Sequence, residues 1–164
     1  MGSGKSTYGK LLANKLNYNF IDLDEYIEYK EGKTIKNIFS EFGEDYFRTR
    51  ESEYLKELLL SSKDTVLSLG GGTPTIKANM MHVNEYSESV YLNASVNTLF
   101  TYLKHAKSKR PIIKDLDDQE LEKFINKHLG SRLEYYKKAK HNIITDDKSI
   151  ENIVNELYTL LKVL

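Results

Sequence analysis

The chain has 164 residues, 40% of them hydrophobic, which is enough for one domain with a substantial core. Its 24 basic and 24 acidic side chains balance to a formal net charge of zero, so no long-range field would recruit nucleic acid or a membrane surface. No apolar run approaches the ~20 residues that span a bilayer, and no signal peptide is visible. Cysteine is absent, which excludes disulfides and thiolate metal sites and suits a reducing cytosol. We therefore expect a single cytoplasmic domain that binds neither nucleic acid nor membrane. Nothing in the sequence suggests an obligate partner, so we also expect a monomer.

Short β-rich runs alternate with amphipathic helices along the chain. We predict strands over residues 18–22, 65–69, 89–92 and 141–145. Helices are predicted from about residue 25 and over residues 8–17, 34–43, 44–60, 74–86, 95–103, 119–138 and 149–161. This alternation predicts a parallel α/β sheet, in which ligands bind at the carboxyl ends of the strands.

The chain opens with the second half of a G-x-x-x-x-G-K-[ST] phosphate-binding loop, formed by Gly2, Ser3, Gly4, Lys5, Ser6 and Thr7. In such a loop, backbone N–H groups and the N-terminus of the next helix surround a polyphosphate. Lys5 would reach the outer phosphates, and the Ser6 hydroxyl would bind Mg²⁺. The alternative is a polar N-terminal tail. The helix predicted over residues 8–17 favours the loop, because the motif must open a helix.

Two aspartates follow the first predicted strand. Asp22 ends the strand, and Asp24 would share its face if the extended conformation continues. The alternative for Asp24 is a cap of the helix that begins near residue 25. The strand over residues 65–69 lacks the terminal aspartate of an ordinary Walker B segment, so Asp22 is the candidate carboxylate for Mg²⁺.

Arg48 and Glu51 lie one turn apart on the helix predicted over residues 44–60. They could form a surface ion pair worth roughly 0.2–0.5 kcal/mol. Alternatively, Glu51 could hold the Arg48 guanidinium ready for an anionic ligand. Spacing alone favours the surface pair. A second arginine, Arg132, lies at the edge of the apolar stripe of helix 119–138, where an unpaired charge would be costly unless it reaches solvent.

Two loops carry further candidates. Gly70, Gly71 and Gly72 directly follow the strand over residues 65–69, and such a run is expected where another group approaches the main chain closely. Residues 104–118 form a polar loop with Arg110 near its centre. A loop of this length in a small domain is usually functional, often a lid, although a solvated run of charges is the alternative.

These motifs, in this order, resemble the shikimate kinases over essentially the whole chain. The matching segments are M-G-S-G-K-S-T, F-I-D-L-D, I-F-x-x-x-G-E-x-x-F-R-x-x-E, G-G-G, K-R-P and a late R-x-x-x-Y. The resemblance implies a three-layer α/β/α P-loop fold of the nucleoside-monophosphate-kinase type, with a five-stranded parallel sheet. It also implies one domain over residues 1–164, with a substrate-binding segment at about 24–60 and a lid at about 104–116.

By that resemblance, the reaction moves the γ-phosphoryl group of ATP to the 3-hydroxyl of shikimate, with Mg²⁺, giving shikimate 3-phosphate and ADP. Asp24 would hold the ring hydroxyls and act as the base, while Lys5 and Arg110 would act on the phosphates. The remaining substrate contacts would come from Arg48, Arg132, Gly70, Gly71, Gly72, Phe39, Phe47 and Glu51. The nucleotide would bind at Gly2, Ser3, Gly4, Lys5, Ser6, Thr7, Arg110 and Lys104, and the metal at Ser6 and Asp22.

Two expectations concern what this pattern lacks. The first glycine of the phosphate loop and the strand that feeds it would precede Met1, so we expect either that Met1 is an internal methionine or that upstream residues are not included in this sequence. That strand would lie in the middle of the sheet, and without it backbone groups would be unpaired. The adenine site is represented only by Lys104 and Asp146. A gluconate-kinase-like or nucleotide kinase, and a catalytically inactive binding protein, are the competing interpretations.

Overall fold

The computed structural model describes residues 2–107 and 111–162. Within these ranges, eight α-helices and four short strands follow one another as α1 (Lys5–Leu16), β1 (Asn19–Asp22), α2 (Leu23–Glu31), α3 (Ile35–Ser61), β2 (Thr65–Ser68), α4 (Lys77–Tyr86), β3 (Val90–Asn93), α5 (Val96–His105), α6 (Asp118–Gly130), α7 (Leu133–Tyr136), β4 (His141–Ile144) and α8 (Ile150–Lys162). Each strand coincides with a predicted one. No helix in the described part of the chain has the length and apolar character needed to cross a membrane.

The strands pair in parallel, as predicted, but in two separate sheets. β1 pairs with β2, with Asp22 opposite Ser68, and β3 pairs with β4, with Asn93 opposite Ile144. A cavity of about 580 Å³, lined by residues of both β2 and β3, lies between the two pairs. Neighbouring strands can pair only when they lie about 4.8 Å apart. The described residues therefore form four strands of the expected parallel sheet, with a gap between β2 and β3 where the strand that feeds the phosphate loop was expected to lie.

Glycines and caps set several helix ends. The helices predicted over residues 34–43 and 44–60 both lie within α3, and they are divided as predicted, because the helical conformation is interrupted at Gly43, with φ 82° and ψ 177°. α6 ends at Gly130, so the helix predicted over residues 119–138 is broken there. Pro74 lies in a 3₁₀ turn before α4 rather than opening that helix. The carboxylate that caps α2 is Asp22, which accepts a hydrogen bond from the Asp24 N–H at 3.1 Å.

The main apolar cluster joins α2 to α3 and α4. Leu23 and Ile27 of α2 are fully buried, and they pack in a cluster with Ile38 and Leu55 of α3. Side chains buried to this extent each contribute roughly 1.5–3 kcal/mol to folding. This packing fixes the relative position of the two helices that carry Asp24 and Arg48.

A carboxylate ties the same two helices together at their outer edge. Glu31, at the end of α2, accepts hydrogen bonds from the hydroxyls of Tyr46 and Tyr54 at 2.8 and 2.6 Å and from Arg50 Nε at 2.8 Å. The hydrogen bonds from Tyr54 and Arg50 lower the pKa of Glu31 from 4.5 to about 2. All three donors belong to α3, so this one side chain anchors α2 on α3.

We expect Glu31→Gln to lower the free energy of unfolding at pH 7 by about 2 kcal/mol, because hydrogen bonds to a charged acceptor are lost. The folded-state pKa of Glu31 is depressed, so its contribution is present above pH 4.5 and is lost as the pH falls towards 2. Urea unfolding followed by circular dichroism at pH 7 and pH 3 measures both effects. Glu57→Gln is the control, since Glu57 pairs with Lys30 at the exposed surface. Equal losses in the two variants would contradict the account.

Candidate active site

The phosphate loop opens α1, as the motif requires. Gly4 precedes the helix in the left-handed region, with φ 80° and ψ 12°, and no side chain caps the helix N-terminus. A Cβ on Gly4 would lie 2.6 Å from the ring of the buried Tyr8. A Cβ on Gly2 would lie 2.8 Å from Leu103 of α5. The loop from Gly2 to Thr7 therefore packs closely between two helices, and no side chain competes for the N–H groups of the first turn.

Ser6 and Asp22 meet at the end of β1. The Ser6 hydroxyl donates a hydrogen bond to Asp22 Oδ2 at 2.8 Å, which joins the phosphate loop to the first strand. Both side chains present oxygen atoms, the ligands that Mg²⁺ prefers. The described residues contain no group of three or more His, Cys, Asp or Glu side chains arranged for a metal. A Mg²⁺ ion here would need phosphate and water oxygens to complete its coordination, which is usual for this ion.

Asp24 lies among charges of both signs. Burial raises its pKa to about 6, with further increases from the negative charges of Asp22 and Glu51, while Lys5 acts in the opposite direction. The carboxylate also lies against the glycine run, since a Cβ on Gly70 would be 3.1 Å from Asp24 Oδ1. Asp24 therefore lies within electrostatic range of the phosphate-loop lysine and in contact with the start of the glycine run.

Glu51 holds Arg48 in place. Arg48 Nη1 donates to Glu51 Oε2 at 2.8 Å, and Glu51 is only 1% exposed. The other side of the guanidinium contacts Glu44 Oε1 at 3.2 and 3.3 Å. A Cβ on Gly72 would lie 2.8 Å from both Nη atoms. The surface-pair interpretation is therefore wrong for Glu51, and glycine at position 72 leaves the space that the guanidinium occupies.

A pair of aromatic rings lies on one side of this guanidinium, and Phe47 is the ring next to it. Arg48 Cζ lies 5.1 Å from the centre of the Phe47 ring, and the Phe39 and Phe47 rings are 4.7 Å apart. Phe47 is 4% exposed, whereas Phe39 is 36% exposed. The two phenylalanines thus form an apolar surface beside Arg48, with Phe39 on its solvent side.

Arg132 reaches the glycine run indirectly. It lies immediately before α7. Burial raises the pKa of Tyr136, and the positive charge of Arg132 offsets part of that increase. The Tyr136 hydroxyl donates to the Gly71 carbonyl at 2.7 Å. The two arginines approach neighbouring residues of one loop, Arg48 at Gly72 and Arg132 through Tyr136 at Gly71.

The remaining nucleotide-site candidates lie at the ends of α5. Lys104 Nζ pairs with Asp118 Oδ2 at 2.5 Å, and its side chain is 51% exposed. Asp146 accepts a hydrogen bond from the Ser95 N–H at 2.9 Å, where α5 begins. Hydrogen bonds from Thr98 and Ser95 lower the pKa of Asp146. Both side chains therefore have structural partners, and Arg110 lies outside the described residues.

One polar residue of the site was missed by sequence reasoning. Thr73 directly follows the glycine run, is 0% exposed and donates its hydroxyl to Glu51 Oε1 at 2.6 Å. A threonine after a glycine run has no distinctive pattern. Only its complete burial beside a carboxylate identifies it.

Three comparisons with known proteins agree. The shikimate kinase family model matches residues 1–162. Shikimate kinase from Flavobacterium psychrophilum is 44% identical over 162 residues, which cover 98% of this chain and 94% of that protein. The crystal structure of shikimate kinase from Bacteroides thetaiotaomicron gives a TM-score of 0.91 at 40% identity, covering 99% of this chain and 94% of the other. Shikimate kinase from Acinetobacter baumannii, in complex with shikimate, gives 0.85 at 33% identity, covering 99% and 89%.

We expect Asp24 to titrate near pH 6 when its side-chain carboxyl is followed by ¹³C NMR. Asp22→Asn should lower that midpoint, because it removes a neighbouring negative charge that favours the protonated form. Asp117→Asn is the control, since Asp117 caps α6. A midpoint near 4 in the unmodified protein, or no response to Asp22→Asn, would contradict this electrostatic environment.

Proposed function

The chain belongs to the shikimate kinase family and is a small-molecule kinase that phosphorylates shikimate, and we propose that it transfers the γ-phosphoryl group of ATP to the 3-hydroxyl of its substrate at the edge formed by the phosphate loop, Asp24 and the glycine run. The P-loop α/β fold expected from the sequence is that of its structural neighbours. The observation that carries the proposal is the position of Asp24, which is coupled electrostatically both to Lys5 and to the Arg48–Glu51 pair through Glu51.

The chemistry of the site matches that of the substrate. Shikimate has one carboxylate and three hydroxyl groups. A guanidinium fork such as Arg48 suits a planar carboxylate, and a carboxylate such as Asp24 accepts hydrogen bonds from hydroxyls. We propose that the substrate carboxylate binds Arg48 beside Gly72, with the ring between Phe39 and the glycine run. In this proposal Arg132 supplies a second guanidinium, and Tyr136 positions the loop for it.

The phosphates would bind on the other side of Asp24. The N–H groups at the start of α1 and the side chain of Lys5 would hold the β- and γ-phosphates. Ser6 and Asp22 would hold Mg²⁺, which when bound neutralises the charge that develops on the phosphate oxygens. Phosphoryl transfer depends mainly on such positioning and neutralisation, so the protein needs to supply little covalent chemistry of its own.

Asp24 is proposed as the base. With a pKa of about 6 it is mostly ionised at pH 7, yet its proton affinity is higher than that of an ordinary carboxylate. It would accept the proton of the 3-hydroxyl as that oxygen bonds to the γ-phosphorus and the bond to the departing ADP breaks. Lys5 would remain near the transferred group and keep the Asp24 carboxylate ionised.

Several finer assignments stay predictions. These are Arg110 and Lys104 at the phosphates and nucleotide, a lid over residues 104–116, a substrate-binding segment over residues 24–60 within one domain, and a cytoplasmic monomer that uses ATP rather than GTP. The pairing of Lys104 with Asp118 would have to break, or be shared, if Lys104 contacts the nucleotide.

Asp24→Asn should lower the shikimate-dependent rate of ADP release by at least about 10³-fold while ATP still binds, because the proton acceptor is lost. In the unmodified enzyme, kcat/KM for shikimate should fall about tenfold per pH unit below pH 6, as Asp24 becomes protonated. A coupled assay of ADP release with and without shikimate measures both effects. Near-normal activity of Asp24→Asn would remove Asp24 from the mechanism. Absence of shikimate-dependent turnover in the unmodified protein would contradict the proposed reaction.

Arg48→Ala and Arg132→Ala should each raise the KM for shikimate at least about tenfold and change the KM for ATP less than about twofold, because each removes a partner of the substrate carboxylate. Arg50→Ala is a matched control on the same helix, since Arg50 faces Glu31 rather than the glycine run. It should lower stability without a selective change in KM. Equal effects of Arg48→Ala on both KM values would contradict the carboxylate site.

A further inference from the structure

Thr73 connects the glycine run to the carboxylate that holds Arg48. Its hydroxyl donates to Glu51 Oε1 at 2.6 Å, and the other oxygen of Glu51 accepts from Arg48 Nη1 at 2.8 Å. Thr73 is 0% and Glu51 1% exposed, so solvent cannot replace either partner. The buried Glu51 carboxylate therefore joins the other two side chains, since the Thr73 hydroxyl donates to one of its oxygens and the Arg48 guanidinium donates to the other.

The backbone keeps Thr73 in a fixed position. Its N–H donates to the Gly70 carbonyl at 3.2 Å, and its own carbonyl accepts from Asn79 Nδ2 at 3.2 Å. Asn79 is 2% exposed and lies on α4. The backbone of Thr73 is therefore anchored both to the glycine run and to a packed helix, and this anchoring fixes the position of the hydroxyl relative to Glu51.

The hydroxyl supplies something that the rest of the site lacks. A buried carboxylate needs hydrogen bonds to both oxygens, and a hydrogen bond to an ionised acceptor is about twice as strong as one between neutral groups. The nearby charge of Asp24 is also negative, so it repels Glu51 rather than stabilising it. Without the Thr73 hydroxyl, Glu51 Oε1 would lose its hydrogen-bond donor. The carboxylate could then rotate, which would change the geometry of its hydrogen bond with the Arg48 guanidinium.

We propose that Thr73 is a positioning residue for the substrate carboxylate: its hydroxyl fixes Glu51, and Glu51 fixes the Arg48 guanidinium beside Gly72. This inference rests on the proposed binding of shikimate by Arg48. Arg48 has a second acceptor in the exposed Glu44, so a loosened Glu51 would let the guanidinium turn towards solvent. Binding of a planar carboxylate by two parallel hydrogen bonds tolerates little such rotation.

The test compares kcat and both KM values for Thr73→Val, Thr73→Ala and Thr73→Ser. The first two variants lack the donor, and we expect each to raise the KM for shikimate about tenfold with the KM for ATP within about twofold. Thr73→Ser keeps the donor and should stay within about threefold of the unmodified enzyme. Thr145→Val is the matched control, because Thr145 is likewise buried, at 1% exposed, and its hydroxyl donates to a backbone carbonyl, that of Asn93, at 3.3 Å rather than to a carboxylate.

Coupling to Arg48 separates positioning from general destabilisation. In an Arg48→Lys background, which keeps the charge but removes the fork, adding Thr73→Val should change the shikimate KM by less than about twofold. The proposal would be overturned if Thr73→Val and Arg48→Lys acted independently, so that their fold-changes in the shikimate KM multiplied. A normal shikimate KM in folded Thr73→Ala would also overturn it, as would a shikimate KM in Thr73→Ser as high as that in Thr73→Val. If the unmodified protein shows no shikimate-dependent turnover, the proposed function fails instead, which the same assay reveals first.

Discussion

The site depends on the buried carboxylate of Glu51. Glu51 is 1% exposed, and it is stable there because Arg48 bonds one of its oxygens and Thr73 the other. Removing one partner of a buried charge is far more damaging than its net contribution suggests, because the remaining charge is left unpaired. This requirement links α3, which carries Arg48 and Glu51, to the turn after the glycine run, which carries Thr73. The side of the site where we propose that the substrate carboxylate binds is therefore held in place by contacts within the protein.

The other half of the site contains Asp24, a carboxylate that lies close to other negative charges. Burial raises the pKa of Asp24 to about 6, and the negative charges of Asp22 and Glu51 add to this increase. Because this folded-state pKa lies above that of an unfolded aspartate, stability that is full at low pH is partly lost as the pH rises through 6. The fold offsets this cost elsewhere, through the apolar packing of α2 on α3 and the hydrogen bonds of Glu31. A carboxylate with raised proton affinity is what a proton-accepting role near neutral pH requires.

Motifs with fixed spacing were predictable from the sequence, and contacts between distant residues were not. The phosphate loop, Asp22, Arg48 and the glycine run all have local signatures, and the strand positions followed from β-rich runs between turn residues. The roles of Asp22 as helix cap and Thr73 as a hydrogen-bond donor to Glu51 depend on how the chain folds back, which no local pattern encodes. The break at Gly43 was also predictable, because a glycine after an apolar helical stripe is a common helix end. The separation of β2 from β3 agrees with the expectation that the strand feeding the phosphate loop lies in the middle of the sheet.

We propose that one edge of the molecule brings the substrate carboxylate to Arg48 and a ring hydroxyl to Asp24. A crystal structure of the protein with shikimate bound tests this most directly. We expect the carboxylate within about 3 Å of the Arg48 guanidinium beside Gly72, and a hydroxyl at a similar distance from Asp24. Shikimate bound in another cavity, or with its carboxylate turned away from Arg48, would contradict it.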